Sequence, residues 1–139
     1  MTAIALTIAG SDSGGGAGIQ ADLKTFSALG VYGASVITAI TAQNTKGVTA
    51  VEDISTAIIA AQMDAVFSDL DIKAIKIGMV SRIDTIRTIA ERLRSQPQPV
   101  VLDPVMVATS GDRLLQEEAI ETLRSELLPR ATLATPNLP

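Results

Sequence analysis

Residues 8–22 have the sequence Ile-Ala-Gly-Ser-Asp-Ser-Gly-Gly-Gly-Ala-Gly-Ile-Gln-Ala-Asp, and this glycine-rich stretch is the most informative part of the chain. An apolar run, Ala3 to Ala9, leads into it, and apolar residues at helical spacing follow it. Five glycines fall between Gly10 and Gly18, so the backbone there can wrap closely around another group. The pattern predicts a strand, a glycine-rich loop and a helix, an arrangement that places ligands at the carboxyl end of a strand.

The glycine-rich loop does not match two common phosphate-binding templates. A Walker loop requires a lysine directly after the second glycine of G-x-x-x-x-G, but here Gly16 follows Gly15. A dinucleotide-binding loop requires G-x-G-x-x-G, and Ile19 stands where the third glycine belongs. On these residues alone, a tight turn and a ligand-binding loop are equally well supported.

The composition indicates one globular domain and excludes several kinds of chemistry. The 139 residues are 47% hydrophobic and 19% charged, with a net charge of −4 and no basic run, so we expect no nucleic-acid binding. No apolar run is long enough to span a membrane, and the first residues lack the basic start of a signal peptide; we therefore expect a cytoplasmic protein. Cysteine and histidine are absent, which excludes thiolate nucleophiles, histidine bases and most zinc sites within this sequence.

Strand and helix patterns alternate along the chain and predict an α/β fold. Apolar runs predict about five strands, and apolar residues at helical spacing predict four helices between them. Strict alternation of this kind is typical of a mostly parallel sheet with helices on both faces. The predicted strands lie at 3–9, 31–42, 74–79, 99–102 and 131–135, and the predicted helices lie at 19–29, 56–68, 81–93 and 117–128.

Polar residues or glycines follow each predicted strand. The carboxyl ends of parallel strands share one edge of the sheet, so these residues predict a cleft there. Gln43 suits a ligand because its amide both donates and accepts hydrogen bonds; a capping amide is the alternative. Asp22 and Asp103 are candidate ligand-binding carboxylates, with a solvated surface aspartate and a turn cap as the respective alternatives. The predicted edge contains Gly10, Gln43–Asn44, Gly78–Met79, Asp103 and Asn137.

Five segments of the chain resemble the hydroxymethylpyrimidine/phosphomethylpyrimidine kinases of thiamine biosynthesis. The resemblance extends from residue 3 to residue 139, and five motifs in the family's order make it far more specific than any one motif. The segments are Ala5–Lys24, Thr41–Thr45, Lys76–Met79, Asp103–Met106 and Thr135–Pro139.

The resemblance implies a ribokinase-like fold and two successive ATP-dependent phosphorylations. The first converts 4-amino-5-hydroxymethyl-2-methylpyrimidine to its monophosphate, and the second gives the diphosphate. ATP and Mg²⁺ are the implied cofactors, this small pyrimidine is the implied substrate, and a homodimer is the implied assembly. The resemblance implies that Gln43 hydrogen-bonds the pyrimidine and that Asp22 lies near the substrate. It implies that the pyrimidine pocket is lined by Gly10, Met79 and Val105. It also implies that the metal and phosphate region contains Asp103 and Asn137.

The family pattern continues beyond Pro139, so the resemblance implies that residues 1–139 are the N-terminal, substrate-binding part of one kinase domain. We expect the ATP site, the anion hole and the catalytic residue that activates the substrate hydroxyl to lie outside these residues, and the chain to be inactive alone. Two alternatives remain open. One is a pyridoxal kinase, which shares the Gly-Ser-Asp opening and Asp-Pro-Val-Met; the other is a domain that binds the pyrimidine without phosphorylating it.

Overall fold

The computed structural model describes residues 2–104 and 117–136, and within them the chain forms six strands and four α-helices. The strands are β1 (Ile4–Asp12), β2 (Tyr32–Asn44), β3 (Gly47–Asp53), β4 (Ile72–Ile77), β5 (Val100–Leu102) and β6 (Leu133–Ala134). The helices are α1 (Gly18–Ala28), α2 (Thr56–Asp69), α3 (Ile83–Leu93) and α4 (Glu117–Thr122). A π turn, Leu123–Leu127, and a 3₁₀ turn, Leu128–Arg130, continue α4 toward β6.

The strands form one sheet in the order β3-β2-β1-β4-β5-β6. Neighbouring strands are parallel except β2 and β3, which are antiparallel. The predicted α/β class and mostly parallel sheet are therefore confirmed. The expectation of about five strands in strict alternation with helices is corrected, because the sheet has six strands and β3 follows β2 with no helix between them. β3 is the outermost strand on one side of the sheet.

The unpredicted strand arises because β2 continues two residues beyond its expected end at residue 42. Asn44, its last residue, pairs with Gly47 across a two-residue turn of Thr45 and Lys46. The side-chain oxygen of Asn44 accepts the backbone N–H of Lys46 at 2.8 Å, which stabilises the reversal locally. A connection this short joins antiparallel strands but cannot make the crossover that a parallel pair needs.

Helices cover both faces of the sheet. The hydroxyl of Thr7 in β1 donates to the carboxylate of Asp22 in α1 at 2.6 Å, so this side chain points toward α1. Leu6 and Ile8 flank Thr7 in β1 and point to the opposite face, because successive side chains of a strand alternate between faces. There they are fully buried in one cluster with residues of α2, α3 and α4. The predicted placement of helices on both faces is confirmed.

Apolar residues at helical spacing form the buried side of α3, but two apolar residues elsewhere are exposed. On α3, Ile86, Ile89 and Leu93 are fully buried. Leu29 is exposed because it follows the last residue of α1, and Ile58 is 54% exposed because it faces away from the sheet on α2. None of the helices in the described ranges combines the length and apolar character that a membrane span requires.

Two adjacent isoleucines on α2 provide a matched test of this packing. Ile59 is fully buried in the core, whereas Ile58 is 54% exposed. We expect Ile59→Ala to lower the free energy of unfolding by about 2–5 kcal/mol, because it leaves a cavity between α2 and the sheet. Ile58→Ala is expected to change it by less than about 1 kcal/mol. Urea denaturation measures both values, and equal losses would contradict the described orientation of α2.

Candidate functional site

The glycine-rich loop between β1 and α1 is built around the carboxylate of Asp12. Asp12 is 5% exposed, and its carboxylate accepts three backbone N–H groups of the loop. The donors are Gly14 at 2.7 Å, Gly16 at 3.0 Å and Ala17 at 2.8 Å. A buried carboxylate is stable only when such partners replace water, so the loop conformation and the buried charge depend on each other.

These hydrogen bonds determine what the loop does chemically. The amides of Gly16 and Ala17 lie just before α1, where a helix N-terminus favours negative charge. In a phosphate-binding loop such amides bind the ligand, but here the side chain of Asp12 already occupies them. The described loop is therefore a self-satisfied structural turn, in agreement with its failure to match the phosphate-binding templates.

Close backbone packing explains two of the loop glycines. Gly18 has φ of +58°, and a Cβ at this position would collide with the carbonyl oxygen of Gly10. A Cβ at Gly14 would lie 3.0 Å from Cα of Asn44 and 3.1 Å from the carbonyl oxygen of Gln43. The loop consequently lies directly against the end of β2 that carries Gln43.

Gln43 is half-buried and is held by two hydroxyl groups. The Ser13 hydroxyl donates to the carbonyl of Gln43 at 2.6 Å and accepts its backbone N–H at 2.8 Å. The side-chain amide of Gln43 lies 3.1 Å from Oγ1 of Thr41, measured to the atom assigned as Oε1. Thr41 Oγ1 in turn donates to the carbonyl of Ser11 at 2.7 Å. Backbone and side chain of Gln43 are thus fixed against β1 and its loop.

Gly10 and Met79 are in direct contact. A Cβ on Gly10 would lie 2.6 Å from Cε of Met79, so a larger residue there would require the end of the methionine side chain to move. The carbonyl of Met79 accepts the hydroxyl of Thr38 in β2 at 2.9 Å. This contact joins the segment after β4 to β1 and β2 at one edge of the sheet.

Asp22 forms a half-buried ion pair with Lys76 on the α1 face of the sheet. The ammonium group of Lys76 lies 2.9 Å from both carboxylate oxygens of Asp22, and Thr7 donates a further hydrogen bond at 2.6 Å. Thr7 and Lys76 are register partners in the neighbouring strands β1 and β4. Thr7 and Lys76 were not among the predicted site residues, although a lysine within the apolar run Ala74–Met79 was an available signal.

Asp103 directly follows β5, and its backbone N–H donates to the carbonyl of Ile77 in β4 at 2.8 Å. The side chain is half-buried. Val105 and Asn137, also predicted site residues, lie outside the described residues. Within the described ranges no three acidic side chains come together as a metal-binding group. Mg²⁺ is commonly bound by one or two carboxylates together with substrate phosphates, so a metal-binding role for Asp103 stays a prediction.

The described candidate residues share one edge of the sheet, with one exception. β2, β1, β4 and β5 are consecutive neighbours in the sheet, and Gln43, Gly10, Met79 and Asp103 lie at or just after their carboxyl ends. Asp22 lies farther back, beside the middle of β1. The edge therefore combines an amide, an apolar thioether and a carboxylate, a set suited to a flat polar ring with a phosphate group nearby.

An ion pair outside this edge has shifted pKa values. Arg82 lowers the pKa of Asp84, mainly by donating a hydrogen bond at 3.1 Å, and the same bond raises the pKa of Arg82. Arg82 also lies 3.8 Å from Asp53 at the end of β3. The pair is exposed at the start of α3, so we interpret it as a structural link between α3 and β3.

The role of the Asp12 carboxylate is testable by removing its charge. We expect Asp12→Asn to lower the free energy of unfolding by about 1–3 kcal/mol, because an amide nitrogen would then face N–H donors. Asp71→Asn is the matched control, since it removes the same charge from an exposed ion pair with Lys73 that contributes about 0–1 kcal/mol. Urea denaturation measures both, and hydrogen exchange at Gly16 and Ala17 should accelerate only in Asp12→Asn. Equal losses in the two variants would contradict the account.

Comparison with known proteins identifies the family. The model of the phosphomethylpyrimidine kinase family matches residues 12–139. A hydroxymethylpyrimidine/phosphomethylpyrimidine kinase of Rhizobium meliloti is 75% identical over 138 residues, which are 99% of this chain and 52% of that protein. The corresponding Escherichia coli enzyme is 62% identical over 97% of this chain and 51% of its own length. The chain thus spans about half the length of the curated relatives it matches.

Solved structures of such kinases share the fold. A crystal structure of a phosphomethylpyrimidine kinase from Clostridium difficile has a TM-score of 0.93 and 59% identity, with coverage of 99% of this chain and 60% of that one. An ADP complex of Bacillus subtilis pyridoxal kinase has a TM-score of 0.87 and 42% identity, with coverage of 99% and 53%. These similarities confirm the predicted ribokinase-like architecture. On its sequence and its fold, the chain belongs to the phosphomethylpyrimidine kinase family.

Proposed function

We propose that the protein containing this chain phosphorylates 4-amino-5-hydroxymethyl-2-methylpyrimidine and then its monophosphate, with ATP as the phosphoryl donor, in thiamine biosynthesis. The observation that carries the proposal is 75% identity, over 99% of the chain, to a kinase named for both steps. By the same proposal the enzyme acts in the cytoplasm as a homodimer. Because the chain spans about half of such relatives, the whole reaction is proposed for the complete protein.

In this proposal the substrate ring binds beside Gln43, Gly10 and Met79. The aminopyrimidine presents a hydrogen-bond donor next to an acceptor, and the primary amide of Gln43 presents the complementary pair. The thioether of Met79 supplies a polarisable apolar surface suited to the face of a flat ring. Val105 is the proposed second apolar residue of this pocket.

Asp22 retains a proposed position near the substrate, acting together with Lys76. Its carboxylate is shared by the Lys76 ammonium group and the Thr7 hydroxyl, so the pair together carries little net charge. A neutral pair beside the pocket suits an uncharged pyrimidine better than an isolated carboxylate does. The proposed role of Asp22 is therefore to hold Lys76 and shape the pocket from the α1 side.

Few residues of this chain are proposed to bind the metal ion and the phosphate groups. Asp103 and Asn137 are proposed to lie in the metal and phosphate region, where Mg²⁺ when bound offsets charge on the transferring phosphoryl group. Phosphoryl transfer depends mainly on positioning and on electrostatic stabilisation of that group. The amides of the glycine-rich loop are occupied by Asp12, so we propose that the groups that hold ATP belong to the part of the relatives that this chain does not span.

Pyridoxal kinase activity is the second candidate function, because a Bacillus subtilis pyridoxal kinase is 42% identical over 99% of the chain. Initial rates with the hydroxymethylpyrimidine and with pyridoxine, measured on the complete protein with MgATP, separate the two. We expect the pyrimidine to be the better substrate. A larger kcat/KM for pyridoxine would replace the first proposal by the second.

Gln43→Ala tests the proposed contact with the ring. We expect the affinity of the complete protein for the pyrimidine to fall by a factor of about ten or more, since two hydrogen bonds are lost. Gln96→Ala serves as the control, and we expect its affinity for the pyrimidine to be unchanged. It removes the same kind of amide, but from the segment before β5, at the amino ends of the parallel strands. Isothermal calorimetry gives both affinities. Undiminished binding to Gln43→Ala would remove this residue from the site.

A further inference from the structure

The hydroxyl of Thr41 faces two groups that both appear as acceptors. Thr41 is 4% exposed, and its Oγ1 lies 2.7 Å from the carbonyl oxygen of Ser11 and 3.1 Å from the atom assigned as Oε1 of Gln43. A hydroxyl has one proton, so it donates to one of these partners and offers a lone pair to the other. The carbonyl of Ser11 has no proton to give and makes the shorter contact, so it receives the hydroxyl proton.

This proton assignment fixes the orientation of the Gln43 amide. A primary amide has nearly the same shape after a flip that exchanges oxygen and nitrogen, so the hydrogen-bond partners decide which atom stands where. A lone pair of Thr41 Oγ1 requires a donor at 3.1 Å, and Nε2 of Gln43 is the amide atom that donates. Oε1 then points away from Thr41. Within the described ranges the Gln43 side chain has no further hydrogen-bond partner that competes with this orientation.

The backbone of Gln43 cannot rotate to restore the other orientation. Ser13 binds both its N–H and its carbonyl, at 2.8 and 2.6 Å. Gly14 also lies close to the same carbonyl oxygen, because a Cβ built there would be 3.1 Å from it. Any choice between the two amide orientations therefore depends on the side chain alone, and on Thr41 as the partner that distinguishes oxygen from nitrogen.

We propose that Thr41 is a specificity-determining positioning residue, which holds the Gln43 amide in one orientation and so sets the order of donor and acceptor that a ligand must present. The inference rests on the proposed function, since it assumes that Gln43 binds the substrate ring. One Nε2 hydrogen is used by Thr41. The other hydrogen and Oε1 form the face offered to the ligand, a donor and an acceptor side by side.

The fixed orientation distinguishes two ligands of nearly identical shape. A 4-aminopyrimidine offers an exocyclic donor beside a ring acceptor, whereas the 4-oxo compound in its lactam form offers an exocyclic acceptor beside a ring donor. An amide free to flip would bind both equally well. An amide locked by Thr41 matches the order of one ligand, and the other meets donor against donor and acceptor against acceptor. The locked site is expected to select the amino compound.

Calorimetry on the complete protein tests this selection. The probes are 4-amino-5-hydroxymethyl-2-methylpyrimidine and its 4-oxo analogue, each titrated into wild type, Thr41→Val and Thr41→Ser. We expect wild type to prefer the amino compound by a factor of about ten or more. Thr41→Val, which keeps the shape but lacks the hydroxyl, should bring the ratio of affinities close to one, chiefly by improving binding of the oxo compound. Thr41→Ser restores the hydroxyl and should restore the preference.

An unchanged preference in Thr41→Val would overturn the inference. If Gln43→Ala still weakened pyrimidine binding as expected, the proposed function would stand. Absence of pyrimidine binding to wild type would overturn both. Should Thr41→Val not fold, side-chain amide exchange in the wild-type protein decides, with Gln43→Ala identifying the resonances. One Nε2 proton of Gln43 that exchanges with solvent much more slowly than the other supports the bond to Thr41, and two equally fast protons contradict it.

Discussion

A buried charge at the start of the glycine-rich loop fixes how this loop packs at the carboxyl ends of the central strands. The carboxylate of Asp12 would be strongly destabilising at 5% exposure without partners, and three loop amides supply them. The loop is also held by the Ser13 hydroxyl on Gln43 and by the ammonium group of Lys24 on the carbonyl of Gly15. Once closed, it brings Ser13 and Gly14 against Gln43 at the end of β2. The position of the proposed ligand-binding amide thus depends on an anion that belongs to the protein itself.

This arrangement separates two tasks that a glycine-rich loop at a helix N-terminus could perform. Amides left free there attract phosphate, whereas amides bound to Asp12 hold the conformation of the loop. The neighbouring groups agree with the second task, because Gln43 offers paired hydrogen bonds and Met79 offers an apolar surface. On the α1 face of the sheet, the partly buried charges of Asp22 and Lys76 are paired with each other. The strand-end groups Gln43 and Met79 are therefore suited to a neutral ring.

The sheet and the strand-end residues could be predicted because they follow from periodicity and from the rule that parallel strands end at one edge. The hairpin of β2 and β3 was not predicted because the apolar run breaks at Gln43, although Asn44 and Gly47 are typical of the first and fourth positions of a β-turn. The local signal for Asp12 was its place two residues before Gly14, as in an Asx turn. Its further bond to Ala17 depends on the conformation of the whole loop, which the two-residue spacing does not specify. The pairing of Lys76 with Asp22 depends on tertiary contacts that sequence spacing does not encode.

A crystal structure of the complete protein with the aminopyrimidine and an ATP analogue would show which groups the loop amides bind. We expect the Asp12 carboxylate to remain hydrogen-bonded to the amides of Gly14, Gly16 and Ala17. The ring should then lie beside Met79 with its amino group on Gln43, and the nucleotide phosphates should lie away from the loop. A phosphate bound to those three amides, with the side chain of Asp12 turned out toward solvent, would contradict the account.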